Sequence, residues 1–434
     1  MISQKKVYMC FTTDVIHYGH TNIINKASKL GSIVAGVLTD ELISTIDRYT
    51  LVPLEDRIKI LSNQKGIDEV VIQYDLYYDN ILREIKPDYV VHGDNWQNGI
   101  LSNVRKRVIE VLKEWGGELI EFPYTYNNSI DNIEKTITHS LGIPDMRRPR
   151  LKRMLESGKC LRVMEAHNGL SGLIVENSRI STQNEIKTFD AMWISSLCDS
   201  TVKGKPDIEI VDMTSRLQTV NQIMEVTTKP IIFDGDTGGL IEHFEINIKS
   251  LERIGVSAVI IEDKIGLKRN SLFGENANQQ QDTIKGFSNK IMHGKKSLQT
   301  KDFMLIARIE SLILNKGMDD ALARAFAYVK AGADGIMIHS RQKSPNEIFE
   351  FCQLFRKNNE RTPLIVVPST FNSVTENELH SYGINIIIYA NQLLRSSFPA
   401  MQQTALSILE NERALEADKQ CIPIDDIINL IPYE

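Results

Sequence analysis

Short apolar runs alternate with amphipathic segments along the first third of the chain. Five runs are rich in β-branched or aromatic residues and predict strands, at Val7–Phe11, Ile33–Leu38, Glu69–Ile72, Tyr89–His92 and Glu118–Phe122. Segments with helical spacing lie between them, such as Asn22–Leu30 and Val104–Trp115. Strands that alternate with helices predict a parallel doubly wound sheet, with its ligand crevice at the carboxyl ends of the strands.

A second alternating series begins at Leu161 and contains eight predicted strands. These are Leu161–Glu165, Ala191–Ile194, Pro230–Phe233, Ala258–Ile261, Met304–Ala307, Gly335–Ile338, Leu364–Val367 and Asn385–Tyr389. Helical segments such as Met318–Lys330 and Pro345–Lys357 follow the strands, and Arg395–Glu434 is expected to add closing helices. Eight parallel strands over roughly 250–280 residues predict a (β/α)8 barrel. We therefore expect an α/β protein with a sheet domain at 1–134, a linker at 135–154 and a barrel at 155–434.

The expected linker carries a basic cluster, made of Arg147, Arg148, Arg150, Lys152 and Arg153. The whole chain has 50 basic and 56 acidic side chains and a net charge of −6. This balance argues against a broad nucleic-acid-binding surface, so we interpret the cluster as a solvated face.

Composition and cysteine spacing narrow the class of protein further. Hydrophobic residues make up 42% of the chain and charged residues 24%, which is typical of globular proteins. The five cysteines contain no CxxC, which excludes a disulfide scaffold or a zinc knuckle. No apolar run approaches the roughly 18–20 residues of a membrane span. The apolar stretch behind Lys5 and Lys6 stops at Asp14, so it is not a signal peptide. We expect a soluble cytoplasmic enzyme without nucleic-acid or membrane partners.

The sharpest short motif is His17-Tyr18-Gly19-His20, directly after the first strand and at the start of a helix. Two histidines three apart at a helix N-terminus share one face, beside backbone N–H groups that favour anions. Imidazoles in that position can stabilise the charge of a phosphoryl transition state. A pair of ordinary surface histidines is the alternative.

The motif resembles the HxGH signature of the nucleotidyltransferase superfamily, and the rest of the domain is similar to its cytidylyltransferase branch. Pro53-x-Glu55-x-Arg57 and His92-Gly93-Asp94-Asn95-Trp96 support the resemblance. It implies Mg2+-assisted transfer from CTP with loss of pyrophosphate, with His17 and His20 as catalytic residues. The implied nucleotide-binding residues are Thr12, Asp14, Arg57, Asp94, Trp96, Thr125 and Ser129. For Trp96 the alternative is a core aromatic. Of the family's Arg-Thr-x-Gly-Ile-Ser tail, only Thr125 and Ser129 are present.

Polar residues cluster at the carboxyl ends of the predicted barrel strands, where barrel enzymes place their catalytic groups. They include Trp193, Ser195, Asp234, Asp236, Glu262, Arg308, His339, Thr370 and Asn391. Three carboxylates on neighbouring strands form an oxygen-rich site that suits Mg2+ with retained waters. An arginine among them suits a phosphoryl or carboxylate group. Salt bridges at a barrel rim are the alternative.

Glu262-Asp263-Lys264, followed by five residues and Asn270-Ser271, resembles the signature of phosphoenolpyruvate phosphomutases in the isocitrate lyase superfamily. The segments Glu165–Ser171, Asp234–Gly238 and Ala390–Asn391 agree with it. The resemblance implies direct Mg2+ ligation by Asp234, with Asp236 and Glu262 acting through waters. Implied catalytic residues are Asp207, Lys268, Asn270, Arg308 and His339, and implied substrate-binding residues are Trp193, Ser195, Ser196, Leu197 and Ser271. Ser196 replaces a usual Gly, and its backbone N–H is expected to serve the oxyanion.

The two resemblances together imply a bifunctional enzyme of fosfomycin-type phosphonate biosynthesis. It would isomerise phosphoenolpyruvate to 3-phosphonopyruvate and cytidylylate a small phosphonate, 2-hydroxyethylphosphonate, with Mg2+ at both sites. Alternatives are 2-aminoethylphosphonate as acceptor, an ATP-using adenylyltransferase, or a vestigial regulatory nucleotide-binding head. Members of the mutase family pair by exchanging a C-terminal helix, and 395–412 is similar to that region. The resemblance therefore also implies a homodimer or homotetramer.

Overall fold

The computed structural model describes residues 5–12, 15–46, 50, 52–97, 101–123, 140–182, 186–266, 268 and 279–431. In the N-terminal part, five strands form one parallel sheet. They are β1 Lys6–Phe11, β2 Ser32–Leu38, β3 Glu69–Gln73, β4 Tyr89–Gly93 and β5 Glu118–Phe122. Their order is β3-β2-β1-β4-β5, so the direction of winding reverses between β1 and β4. The predicted doubly wound sheet is confirmed.

Helices cover both faces of this sheet. They are α1 Tyr18–Ala27, α2 Asp40–Thr45, α3 Leu54–Ser62, α4 Asp79–Ile85 and α5 Leu101–Leu112. Because successive strand side chains point to opposite faces, neighbouring residues of one strand enter different cores. Tyr8 belongs to one apolar cluster and Val7 to the other. Both faces of the strands are therefore buried, as is typical of parallel sheets.

Eight parallel strands of the C-terminal part close into a barrel, as predicted. They are β6 Leu161–Glu165, β7 Ala191–Ile194, β8 Ile231–Asp234, β9 Ala258–Glu262, β10 Met304–Ile309, β11 Gly335–Ile338, β12 Leu364–Val366 and β13 Ile386–Tyr389. The ring closes where β13 pairs with β6. Inside it, alternate residues of the strands form an apolar cluster.

The helices of the C-terminal part lie before, between and after the barrel strands. They are α6 Pro144–Arg147, α7 Arg150–Glu156, α8 Gly169–Asn177, α9 Ser196–Val202, α10 Met213–Met224, α11 Ile241–Ile254, α12 Ile284–Ser297, α13 Met318–Lys330, α14 Asn346–Arg356, α15 Glu376–Ser381, α16 Gln392–Asn411 and α17 Ile424–Ile428. Short 3-10 helices occur at Asp94–Trp96 and Ala417–Gln420. Two antiparallel pairs of short strands join Arg179–Ser181 to Ile186–Thr188 and Lys264–Ile265 to Gln280–Gln281.

The basic cluster of the expected linker is not a solvated face, and that prediction is wrong for three of its members. Arg147, Arg148 and Arg150 are buried, whereas Arg153 is exposed. Nη2 of Arg147 donates to the Thr227 carbonyl at 2.6 Å, and Nη1 of Arg148 donates to the Glu252 carbonyl at 3.1 Å. These carbonyls follow α10 and end α11, where helices leave acceptors without intrahelical partners. The arginines therefore attach α6 and α7 to the barrel.

Helix α16, which follows the last barrel strand, contains no buried residue. Phe398, Met401 and Leu409 are among its exposed apolar side chains. Among the described helices, none combines the length and apolarity needed to cross a membrane. The five cysteines are all free thiols.

Candidate active sites

A polar layer closes the barrel at the carboxyl ends of its strands. The apolar interior includes Val163, Trp193, Ile232, Ile260, Ile306 and Met337. Because strand side chains alternate, the next inward residue lies two positions further along each strand. These residues are Glu165, Ser195, Asp234, Glu262, Arg308 and His339, and all of them are buried. The sequence prediction that polar groups gather at this end therefore agrees with the structure.

Asp234 ends β8 and accepts two hydrogen bonds from one residue. The backbone N–H of Ser196 donates to its Oδ2 at 3.0 Å, and the Ser196 hydroxyl donates to the same atom at 2.7 Å. The N–H that was expected to bind an oxyanion therefore has a different partner in this structure. Ser195 begins α9 as its N-cap, with its hydroxyl accepting from the N–H of Cys198 at 3.3 Å. Leu197, on the same helix, is half-buried.

The ammonium group of Lys268 lies among the carboxylates of this layer. Its Nζ is 2.6 Å from Oδ1 of Asp236, 3.3 Å from Oδ1 of Asp207 and 3.9 Å from Oδ2 of Asp234. It also donates to the Ser196 hydroxyl. Burial alone would lower the pKa of Lys268, but Asp234 and Asp236 raise it well above the usual value. The lysine is therefore a buried cation that joins the predicted catalytic and metal-binding residues.

The donor atoms of the layer fit a hard divalent cation. Both carboxylate oxygens of Glu262 are buried without a hydrogen-bond partner, although Nη2 of Arg308 lies 3.3 Å from Oε2. Asp234 and Asp236 add further oxygens at the neighbouring strand. Among the described residues, no three His, Cys, Asp or Glu side chains are arranged to hold an ion by themselves. Oxygen donors that do not surround the ion completely suit Mg2+, which retains several of its waters.

Arg308 and His339 lie on neighbouring strands and share a buried carboxylate. Nε of Arg308 donates to Oε1 of Glu310 at 2.6 Å, and Nη2 lies 2.9 Å from Nδ1 of His339. Nδ1 of His339 also lies 3.2 Å from Oε1 of Glu310, so this atom accepts from Arg308 in one neutral tautomer and donates to Glu310 in the other. Burial and Arg308 both lower the pKa of His339, which favours a neutral ring. The pair can present N–H donors to an anionic group.

Three buried residues of this site were not in the predicted set. Glu310 follows Arg308 by two positions, so the alternation of side chains along a strand could have identified it as an inward residue. Glu165 was part of a recognised segment, and its Oε1 accepts from the N–H of Leu394 at 2.7 Å. Arg216, on α10, donates from Nη1 to the Asp234 carbonyl at 2.6 Å and to Oδ2 of Asp236 at 3.0 Å. No sequence motif marks Arg216.

In the N-terminal domain, His17 and His20 form the start of α1. Nδ1 of His17 accepts from the N–H of Gly19 at 3.1 Å, and Nδ1 of His20 lies 3.4 Å from the backbone N of His17. Their ring centroids are 3.9 Å apart. Burial, and then His17, lower the pKa of His20 to about 4. Because Nδ1 accepts in each ring, a neutral imidazole carries its proton on Nε2, the form that can donate to a phosphate.

The segment after β4 lies across the switch in strand order from the histidines. Trp96 is 1% exposed, stacks on His92 with centroids 3.8 Å apart and donates from Nε1 to Oε1 of Glu121 at 2.8 Å. The hydrogen bonds from Arg105, and to a lesser extent that from Trp96, lower the pKa of Glu121 to about 2. Asp94 begins the 3-10 helix that contains Trp96 and is half-buried. Trp96 therefore packs as a core aromatic.

Arg57 is also buried in this domain. Its Nη2 donates to the Leu38 carbonyl at 2.9 Å and pairs with Asp40, while Nη1 is buried without a partner. Thr12 follows β1 and is half-buried. The predicted site residues Asp14, Thr125, Ser129, Asn270 and Ser271 lie outside the described residues.

The fold and the two candidate sites define a two-domain α/β chain. One site lies at the crevice of the sheet, and the other lies at the carboxyl ends of the barrel strands. Residues 151–409 match the model of the phosphoenolpyruvate phosphomutase family, and residues 10–134 match the cytidylyltransferase-like model. The first match covers more than half of the 434 residues. The chain belongs to the phosphoenolpyruvate phosphomutase family, a family of isomerases, and carries an N-terminal domain of the nucleotidyltransferase type.

Curated relatives and solved structures agree with this assignment. A phosphoenolpyruvate phosphomutase of Tetrahymena pyriformis is 35% identical over 282 residues, covering 65% of this chain and 90% of the relative. A phosphonopyruvate hydrolase of Variovorax sp. strain Pal2 is 31% identical, covering 64% and 93%. The crystal structure of a phosphoenolpyruvate phosphomutase from Streptomyces platensis subsp. rosaceus has a TM-score of 0.60 at 31% identity, covering 65% and 94%. A phosphonopyruvate hydrolase in complex with oxalate and Mg2+ has a TM-score of 0.59 at 30% identity, covering 66% and 95%.

Proposed function

We propose that the barrel interconverts phosphoenolpyruvate and 3-phosphonopyruvate with Mg2+. The observation that carries this proposal is the polar layer, in which Arg308 and His339 face an acidic group around Lys268. In the reaction, the bond from phosphorus to the enol oxygen breaks and a bond from phosphorus to the methylene carbon forms. No atom is gained or lost, so the enzyme must bind the migrating group and exclude water.

The chain's own residues supply the groups that this rearrangement needs. Arg308 donates to the phosphoryl oxygens as the group moves, and His339 donates from Nε2 in the tautomer whose Nδ1 accepts from Arg308. Asp234, Asp236 and Glu262 would hold Mg2+, which when bound would offset the negative charge of the substrate. Ser195, at the start of α9, lies where a helix N-terminus favours the substrate carboxylate.

We propose further that the N-terminal domain transfers a cytidylyl group from CTP to a small phosphonate, releasing pyrophosphate. The phosphonate oxygen attacks the α-phosphorus while His17 and His20 donate to the phosphates from Nε2. Mg2+ would serve this site as well. We propose 2-hydroxyethylphosphonate as the acceptor, in a pathway of the fosfomycin type that consumes the mutase product. The second candidate acceptor is 2-aminoethylphosphonate.

The test is incubation of the whole protein with Mg2+, CTP and a panel of small phosphonates, followed by 31P NMR. Exchange between phosphoenolpyruvate and phosphonopyruvate signals supports the mutase, whereas release of inorganic phosphate in its place indicates a hydrolase. A new phosphonate–CMP diester signal identifies the acceptor. Calorimetric titration of the same protein with CTP and with ATP completes the test. Failure to bind CTP would indicate a vestigial head, and selective binding of ATP an adenylyltransferase.

We also propose that the chain assembles as a homodimer or homotetramer through α16. This helix contains no buried residue, and Phe398, Met401 and Leu409 are each more than half exposed. On the barrel surface, Leu170 and Ile174 of α8 are also exposed. Apolar side chains exposed along one helix are typical of an interaction surface. A second copy of this chain is the partner that a symmetric pairing requires.

A further inference from the structure

Asp263 is a completely buried carboxylate next to the barrel site that none of the steps above uses. Its Oδ1 accepts from the N–H of Glu310 at 3.0 Å. Its Oδ2 accepts from the Tyr328 hydroxyl at 2.8 Å, from Nη1 of Arg324 at 3.1 Å and from Nε2 of Gln281 at 2.9 Å. Four donors, from the residue after strand β10, from helix α13 and from Gln281, therefore converge on one side chain.

The backbone around Asp263 brings the two ends of the segment 264–281 together. Lys264 pairs with Gln281 in the short antiparallel ladder. The Asp263 carbonyl accepts from the N–H of Asp282 at 2.9 Å, and Nη1 of Arg324 donates to the Asp282 carbonyl at 2.8 Å. The two ends of the segment therefore meet at one point, where Gln281 donates to the Asp263 side chain and Lys264 follows Asp263 in the chain.

This attachment limits where Lys268 can lie. Lys268 is four positions beyond Lys264, so the backbone spans at most about 13–14 Å between them. Nζ of Lys268 lies 2.6 Å from Oδ1 of Asp236 in the ion pair that the structure contains. A shift of a few ångströms at the attachment point would break that contact, because charge-assisted hydrogen bonds weaken steeply with distance and angle.

We propose that Asp263 is a positioning residue for the mutase reaction, which acts by fixing both ends of the segment 264–281 and thereby the position of Lys268. Only the expected effect on kcat rests on the proposed function. The placement of Lys268 is a property of the folded protein and is measurable without substrate.

The test variant is Asp263→Asn in the full chain. Asparagine keeps the volume but replaces one acceptor oxygen by a donor, so at least one of the four converging donors loses its partner. Tyr328→Phe removes only one of the four bonds and should give a smaller effect. The matched control is Glu252→Gln. Glu252 is 4% exposed and its carboxylate accepts from Gln299 and Thr300 before β10, at the opposite end of the barrel.

The primary readout is the rate at which an amine-reactive reagent labels Lys268, quantified by mass spectrometry at a temperature where all variants are folded. We expect labelling to increase about tenfold or more in Asp263→Asn, and less in Tyr328→Phe, because loss of the attachment releases a 4% exposed amine. Glu252→Gln should label as the wild type does. Unchanged labelling in Asp263→Asn, or an equal increase in Glu252→Gln, would overturn the proposal.

The second readout is the rate of phosphoenolpyruvate conversion. We expect the variant with the fastest labelling to have the lowest kcat, and the order of kcat across the three variants to be the reverse of the order of labelling. KM should change little. If the wild type does not convert phosphoenolpyruvate, the proposed function fails while the labelling result still decides the role of Asp263. If labelling increases but kcat is unchanged, Asp263 positions Lys268 without serving the reaction, and the proposal is wrong.

Discussion

Nε of Arg308 lies 2.6 Å from Oε1 of Glu310, whose side chain has no exposed surface. Oε2 of the same carboxylate pairs with Nζ of Lys264 at 2.9 Å. Burial alone would raise the pKa of Glu310, but Arg308 and Lys264 lower it well below the usual value. The charged form of this carboxylate is therefore favoured, and it holds the guanidinium beside Nδ1 of His339.

The first prediction follows from this pairing. Glu310→Gln keeps the size of the side chain but removes the charge that Arg308 and Lys264 share, leaving Glu262 beside them, at 3.3 and 3.6 Å. Removing a group that orients an active-site residue typically costs about 10–100-fold in activity, so we expect kcat for phosphoenolpyruvate conversion to fall by about that factor. A 31P NMR assay measures it. As a control, Glu176→Gln changes a carboxylate that accepts from Thr227 and Thr228 before β8. Equal losses in both variants would assign Glu310 a structural role only.

The second prediction separates the two sites. Asp234→Ala removes a predicted ligand of Mg2+ and the acceptor of two Ser196 hydrogen bonds. We expect phosphoenolpyruvate conversion to be abolished and nucleotide transfer from CTP to be largely retained, because the sheet domain has its own site. Both activities are measured on one preparation whose folding is checked by circular dichroism. Loss of both in a folded variant would contradict two independent sites.

The strands were predictable within one or two residues, because β-branched runs bounded by polar residues give a strong local signal. Helix starts were less accurate. The helical spacing predicted Val104–Trp115, but this helix spans Leu101–Leu112. For the first helix, the His17–His20 motif located the start correctly, since α1 begins at Tyr18 with His17 as its cap. The burial of Arg147 and Arg148 was missed, since their carbonyl partners lie about 80 to 100 residues away along the chain. Contacts at that separation leave no local pattern.

In the barrel site, the inward positions were predictable because alternation along a strand is a local property. The residues that orient these inward side chains were not predictable. Arg216 reaches Asp236 from the first turn of a helix, and its sequence surroundings resemble those of any exposed helical arginine. In the sheet domain, the sequence identified the HxGH pair but could not reveal that Trp96 packs in the core against His92.

The third prediction concerns the two roles of His17, which caps α1 and can donate to a phosphate. His17→Ala should lose about 1 kcal/mol of stability from the cap and about 10²–10³ in kcat from the donor. His17→Asn restores a good N-cap acceptor, so we expect it to recover Tm but not kcat. The measurements are kcat and KM for CTP and thermal melting of both variants. Recovery of kcat by the asparagine would show that only the cap matters.

The fourth prediction is a pH dependence. The pKa of His20 is about 4 in the folded chain, against the ordinary value of 6.5. Because the folded value is depressed, the stabilisation from neutral His20 is complete above pH 6.5 and is lost as the pH falls toward 4. We therefore expect kcat for nucleotide transfer to show no break near the pKa of a free histidine. A pH–rate profile with a single protonation near 6.5 that persists in His17→Asn would contradict this assignment.

The last prediction concerns assembly through α16. If this helix pairs with a second copy, sedimentation at micromolar concentration should give at least twice the 49.3 kDa of one chain. Leu409 is 74% exposed within one chain, so Leu409→Asp should leave the fold intact while placing an unpaired charge in the interface. We expect this variant to sediment as a monomer with an unchanged melting curve at low concentration. Tyr74→Asp is the matched control, since Tyr74 is also 74% exposed but lies in the sheet domain. A wild type that sediments as a monomer, or an oligomer that Leu409→Asp leaves intact, would show that α16 is not the interface.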